Sequence, residues 1–162
     1  MFELSTTIVY YFAYGSNLNL RQMKDRCPSA SFFCKALLEN YKLAFTRKSS
    51  KRKCGVADVV ESEGAIVWGV VYALNEDELE VLDEYEGCHP EKKKSAYFRK
   101  EVTVFVNGDK SKPITVLTYQ VQDPSKDHIP PSHEYLQQII SGAQFWGIGI
   151  EYIEELKTVQ TC

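Results

Sequence analysis

With 162 residues, 44% of them hydrophobic, 12% aromatic and 25% charged, the chain has the make-up of a globular protein and the length of one domain, expected over 1–162. A net charge of −3 and a sequence pI near 5.7 exclude a general attraction to nucleic acid or anionic membrane; any such binding must come from a local patch. No apolar run approaches the ~20 residues of a membrane span and MFELSTT lacks the regions of a signal peptide, so a cytoplasmic location is expected.

The first strong element is Ile8 to Tyr14, a β-branched and aromatic run that predicts a buried strand ending at Gly15. A helix follows, with Ser16 or Asn17 as N-cap, Leu20, Met23 and Cys27 on one face, and Pro28 closing it. Ser31 to Leu38, Tyr41 to Phe45, Gly55 to Val60 and Ile66 to Leu74 read as four further strands between polar or glycine-containing breaks. A second helix starts at Asn75, with a capping box to Glu78 and Gly87 as its left-handed C-cap.

After a loop over Cys88 to Ser95, Tyr97 to Val106 and Ile114 to Val121 flank Asn107-Gly108 and predict a hairpin with Val102, Val104 and Val106 on one face. The proline-rich stretch Asp123 to Pro131 leads into a helix whose stripe is Leu136, Ile139, Ile140 and Ala143, ended by Gly147, and Ile150 to Val159 is a short amphipathic tail. About seven strands with three or four helices, lacking regular βαβ alternation, predict an α+β fold with a mostly antiparallel sheet or barrel.

Five cysteines without C-x-x-C spacing (Cys27, Cys34, Cys54, Cys88, Cys162) argue against a disulfide framework or zinc site and read as reduced thiols. His89, His128 and His133 lack ligand spacing, so no metal is expected. Gly142, Gly147 and Gly149 follow no strand as a nucleotide fingerprint requires, and read as helix breakers.

Two places carry chemistry. In the turn Tyr14-Gly15-Ser16-Asn17, a glycine after a strand lets backbone N–H groups point outward beside a helix start, which suits a carboxylate or oxyanion; the same residues also fit an ordinary capped turn. In the second helix, Leu79, Leu82 and Glu86 at i, i+3 and i+7 put a carboxylate on the core-facing stripe. Buried there, Glu86 would have a raised pKa suited to general acid–base work, with Asp83 one turn earlier pushing the same way. The alternative is that Glu86 turns outward or pairs with a Lys or Arg.

YFAYGSN at Tyr11 to Asn17 and LDEYEG at Leu82 to Gly87 resemble the two signatures of the γ-glutamylcyclotransferase family (AIG2-like), and PPSHEY at Pro130 to Tyr135 resembles the segment that brings a tyrosine over the family's pocket. PSASFFCKALLENYKLAF and VWGVVYAL extend the resemblance over nearly the whole chain. It implies a small β-barrel with surrounding helices, in which Tyr11, Phe12, Ala13, Tyr14, Gly15 and Ser16 hold the γ-glutamyl group and Tyr135 closes the pocket. The implied reaction needs no cofactor. The α-amine of a γ-glutamyl amino acid, dipeptide or amine attacks its own γ-carbonyl, giving 5-oxoproline and a released amine, with Glu86 carrying the proton from one nitrogen to the other.

One departure from the family pattern is the long basic loop CHPEKKKSA after Glu86, which leaves the amine side of the substrate open. With RKSSKRK at Arg47 to Lys53 it is either a solvated surface or positive charge at the pocket mouth. The expected partner is thus a small γ-glutamyl compound, with no nucleic acid or membrane; self-association stays open, a homodimer included. Two other readings compete: a non-catalytic binder of a glutamyl-like ligand, and a nucleic-acid adaptor acting through the basic loops.

Overall fold

The run from Ile8 forms the strand β1 (Ile8–Ala13), its last three side chains buried. The computed structural model describes residues 7–89, 91 and 95–162. Among them β1, β2 (Ser31–Lys48), β3 (Gly55–Asn75), β4 (Tyr97–Val106) and β5 (Pro113–Val121) close into a barrel in the order β1-β3-β2-β4-β5. Every neighbouring pair is antiparallel except β1 and β5, which close the barrel in parallel with Tyr11 opposite Leu117. The helices α1 (Leu20–Arg26), α2 (Glu76–Glu86), α3 (His133–Phe145) and α4 (Ile150–Leu156) complete the α+β barrel expected from the sequence. None of the described helices is long and apolar enough to cross a membrane.

The strands are fewer and longer than expected. Ser31 to Leu38 and Tyr41 to Phe45 are one strand, because the β2–β3 ladder continues across an irregularity between Glu39 and Tyr41, where Asn40 takes a left-handed φ of 63°. A bulge absorbs the extra residue and bends the strand without ending the pairing. Gly55 to Val60 and Ile66 to Leu74 likewise join as β3, passing through Gly64 at φ 81°, whose N–H donates to the Asn40 side chain at 3.0 Å.

The expected start of α1 and the expected capping box of α2 are corrected, while α2 does begin at Asn75 as its N-cap residue. Ser16–Leu18 forms a 3-10 turn, and Asn19, not Ser16 or Asn17, caps α1 by accepting from the Gln22 N–H at 2.9 Å. Asn17 is thereby freed from capping and buried at 3% exposure. At α2, Asn75 makes no side-chain cap and the capping box is absent, because Ser29 engages the Glu78 carboxylate through both its N–H and its hydroxyl. Gly87 is the left-handed C-cap at φ 64°, as expected, and Ser132 caps α3 by accepting from the Tyr135 N–H.

The expectation of five reduced thiols is also corrected: Cys54 and Cys162 form a disulfide with Cα atoms 6.6 Å apart. Spacing could not reveal a pair 108 residues apart; both ends are delivered by the Pro130-Pro131 segment, where Pro130 O accepts from Gly55 N and Pro131 O from Cys162 N, each at 2.8 Å. Cys27, Cys34 and Cys88 remain free and buried, with thiol pKa values raised chiefly by burial, so Cys88 is an unreactive thiol beside the site.

Two measurements check this frame. Titration of the unreduced, denatured protein should count three thiols, and a count of five would remove the disulfide. A Cβ on Gly69 would sit 2.3 Å from Ala13 O and 2.8 Å from the Phe12 ring, so Gly69→Ala should cost about 1–3 kcal/mol in urea unfolding. An unchanged midpoint would mean that β1 and β3 have room to part.

Candidate active site

The C-terminal ends of β1 and β5 and the start of β4 lie at one end of the barrel, where β1 runs on into the 3-10 turn. There the tyrosines 11, 14, 97, 119 and 135 wall a recess with Gly15, Ser16, Asn17 and Ala57, and the carboxylate of Glu86 enters it from the last turn of α2. Three of the phenols are committed to the frame: Tyr14 donates to Tyr119 O, Tyr97 to Ala57 O at 2.7 Å, and Tyr119 to Asp83 at 2.6 Å. Tyr11 and Tyr135 accept, from Asn17 Nδ2 and from Ala57 N, each at 3.0 Å. Among the described residues neither donates its own proton, so two O–H donors stay open beside the recess.

Asn17 organises the polar centre. Its Oδ1 accepts from Gln22 Nε2 at 2.9 Å and Arg26 at 3.1 Å, which fixes the amide orientation and turns Nδ2 toward Tyr11 and Glu86. Tyr72 holds the Asn17 backbone by donating to its carbonyl at 2.8 Å. Among the described residues the backbone N–H groups of Gly15, Ser16 and Asn17 have no acceptor, as expected of the first positions of a helical turn.

Glu86 receives little in return for its burial. Its side chain is 17% exposed, Asn17 donates to it at 3.3 Å, and the Arg26 guanidinium stands 3.9 Å away, beyond hydrogen-bond range. Burial therefore raises its pKa from 4.5 to about 7; Arg26 opposes the shift and Asp83 adds to it. The Asp83 carboxylate is itself held by Arg99 and the Tyr119 hydroxyl, which keeps that second charge away from the recess. Glu86 thus faces inward; of the two alternatives the outward turn is not realised, while pairing with an arginine is met in part by Arg26 at 3.9 Å.

Of the residues expected at the site, Tyr11, Tyr14, Gly15, Ser16, Glu86 and Tyr135 meet at the recess. Phe12 and Ala13 do not line it: both are fully buried, Ala13 opposite Val70 and the Phe12 ring against Gly69, leaving only their backbone near the turn. Ala57, Tyr97, Tyr119 and Arg26 were not anticipated. Tyr97 and Tyr119 had a signal in their position at facing ends of the predicted hairpin, whereas the place of Arg26 depends on how α1 packs. Among the described residues no group of three or more His, Cys, Asp or Glu is placed to hold a metal ion.

The raised pKa of Glu86 has a stability consequence with a definite sign. Its protonated form is favoured by the fold, so its contribution is full below pH 4.5 and is lost as pH rises through about 7. Glu86→Gln, neutral throughout, should match the wild type near pH 4 and exceed it by roughly 3 kcal/mol at pH 8 in urea unfolding. A gap that does not change with pH would mean an ordinary, solvated carboxylate.

With this geometry in hand, the relatives of the chain are informative. Residues 11–137 match the γ-glutamyl cyclotransferase, AIG2-like family. A human γ-glutamylcyclotransferase is 38% identical over 154 residues, covering 93% of this chain and 78% of the relative, and the bovine one is 37% identical with the same coverage. A solved structure of a γ-glutamyl cyclotransferase superposes with a TM-score of 0.86 at 36% identity, covering 96% of this chain and 90% of its own. The chain is an enzyme of the γ-glutamylcyclotransferase family.

Proposed function

We propose that the enzyme converts a γ-glutamyl amino acid, dipeptide or amine into 5-oxoproline and the free amine, with Glu86 as general acid and base. The observation that carries this reading is an under-bonded carboxylate, its pKa raised by burial to about 7, in one small recess lined by residues with unpaired N–H and O–H donors. Such a carboxylate can both take and return a proton.

In this reading the glutamyl moiety curls inside the recess with its α-ammonium at Glu86. The positive charge lowers the carboxyl pKa on binding, so Glu86 is ionised when it accepts a proton from that nitrogen. The freed amine attacks the γ-carbonyl, the C–N ring bond forms, and the oxygen becomes an oxyanion. On collapse Glu86 gives its proton to the departing nitrogen as the bond to the amine partner breaks, then takes the second proton from the ring nitrogen and passes it to the released amine, which leaves as an ammonium while the lactam keeps one N–H.

Ring closure is intramolecular, so the main tasks are holding the chain folded and stabilising the oxyanion. The backbone N–H groups of Gly15 and Ser16 and the hydroxyls of Tyr11 and Tyr135 suit those tasks; Tyr14 shapes the wall, and Phe12 and Ala13 contribute through the backbone. Burial lifts the Tyr135 hydroxyl to about 12 and raises Tyr11 as well, so both are neutral donors at working pH. No cofactor or protein nucleophile is needed.

The test is a panel of γ-glutamyl compounds assayed for 5-oxoproline. Glu86→Gln should lower kcat by about 100-fold or more, and the wild-type kcat/KM should rise with pH around an inflection near 7, as the free enzyme loses the Glu86 proton. Equal turnover by the Gln variant would remove Glu86 from the chemistry. A compound bound tightly and recovered unchanged would favour a binding protein.

A further inference from the structure

The recess does not end at Glu86. Ser16, Glu86, Tyr97 and Tyr135 also border an outer cleft, whose other walls carry Arg26, Arg47, Lys51 and Arg52. The segment Arg47 to Lys53, read from sequence as either a solvated loop or a charged mouth, is therefore at the mouth. Of the other basic loop, Lys92 to Lys94 lie outside the described residues.

Three observations set these cations apart from an ordinary solvated run. Arg47 is half-buried and close enough to Tyr97 to bias the charge state of its hydroxyl. The Arg52 guanidinium lies 4.7 Å from the centre of the Tyr135 ring, directly over the residue that closes the inner recess. Neither arginine nor Lys51 forms an ion pair with any described residue, and of the two acids bordering the cleft Glu86 is set into the recess while Glu84 is largely exposed near His89.

The loop is also held in place. Ser49 N donates to Cys54 O, Lys53 N to Ser49 O, and Arg52 N to the Ser49 hydroxyl, while the Cys54–Cys162 disulfide anchors its base. Cations positioned in advance lose little freedom when an anion arrives. In a protein of net charge −3 this is a local reversal of sign, on a cleft that shares Ser16, Glu86, Tyr97 and Tyr135 with the inner recess.

Resting on the cyclotransferase reading above, we infer that the outer cleft is the amine-side subsite and selects partners with an acidic side chain: Arg47 and Arg52, assisted by Lys51, bind that extra carboxylate. Glu86 and the inner recess handle the glutamyl half, and the arginines sort what is attached to it. Guanidinium groups suit carboxylates because their fork presents paired donors.

The pair γ-glutamyl-glutamate and γ-glutamyl-glutamine differs in one charge at nearly constant shape. For the wild type, kcat/KM should favour the glutamate compound by roughly five- to tenfold, the size expected of two partly exposed ion pairs. That ratio should fall toward one in Arg47→Gln/Arg52→Gln, and should shrink in the wild type at high salt. A wild-type ratio of one or below, or a ratio untouched by both salt and the double variant, overturns the subsite. Failure of both compounds, with no 5-oxoproline from the wider panel, overturns the cyclotransferase reading and this inference with it.

Discussion

A carboxylate withdrawn from water must be paired or protonated, and the barrel end holds Glu86 between those two conditions. Complete pairing with Arg26 would lock the charge on, while a wall without polar groups would lock the proton on. The 3.9 Å gap to Arg26 and the single long bond from Asn17 avoid both extremes. Much of the surrounding structure serves that intermediate state. Arg26 is drawn toward Asn17 Oδ1, Asp83 is occupied by Arg99 and Tyr119, and three phenols are turned to frame acceptors. The arrangement limits how well the central charge is satisfied.

Asn17 is the joint through which these restraints meet. One amide links the 3-10 turn, α1, β1 and the end of α2, using both donors and both acceptor directions. The stretch after β1 can be spared for this only because Asn19 takes over the cap of α1. With the cap moved two or three residues along the chain, Gly15, Ser16 and Asn17 keep unpaired N–H groups and line the recess.

The parts of the fold legible in the sequence are those governed by neighbours along the chain. β1, the hairpin around Asn107-Gly108, the stripe of α3 and the Gly87 cap follow from periodicity and turn chemistry, whereas periodicity left open whether Glu86 points inward or pairs with a cation at the helix end. What was hidden depended on distant partners. Asn40 looks like a strand end, but the ladder with β3 carries it as a bulge. Glu78 looks like half of a capping box, but Ser29 reaches it first. Arg26 looks like a helix-end cation, and only the meeting of α1 with the end of α2 makes it the charge opposite Glu86. Phe12 and Ala13 share a signature with true wall residues, yet both side chains are fully buried, Ala13 opposite Val70 and the Phe12 ring against Gly69.

The parallel pairing of β1 with β5 ties the existence of the recess to the closing of the barrel. Tyr11 comes from the first strand, Tyr14 from the turn that follows it and Tyr119 from the last strand, joined by bonds such as Thr118 to Phe12 O that span 106 residues. Contacts so remote in the chain form late and slowly, because the entropy of closing a long loop is lost before the contact repays it. A partly folded chain can hold the β2–β3 ribbon and the hairpin and still possess no recess at all.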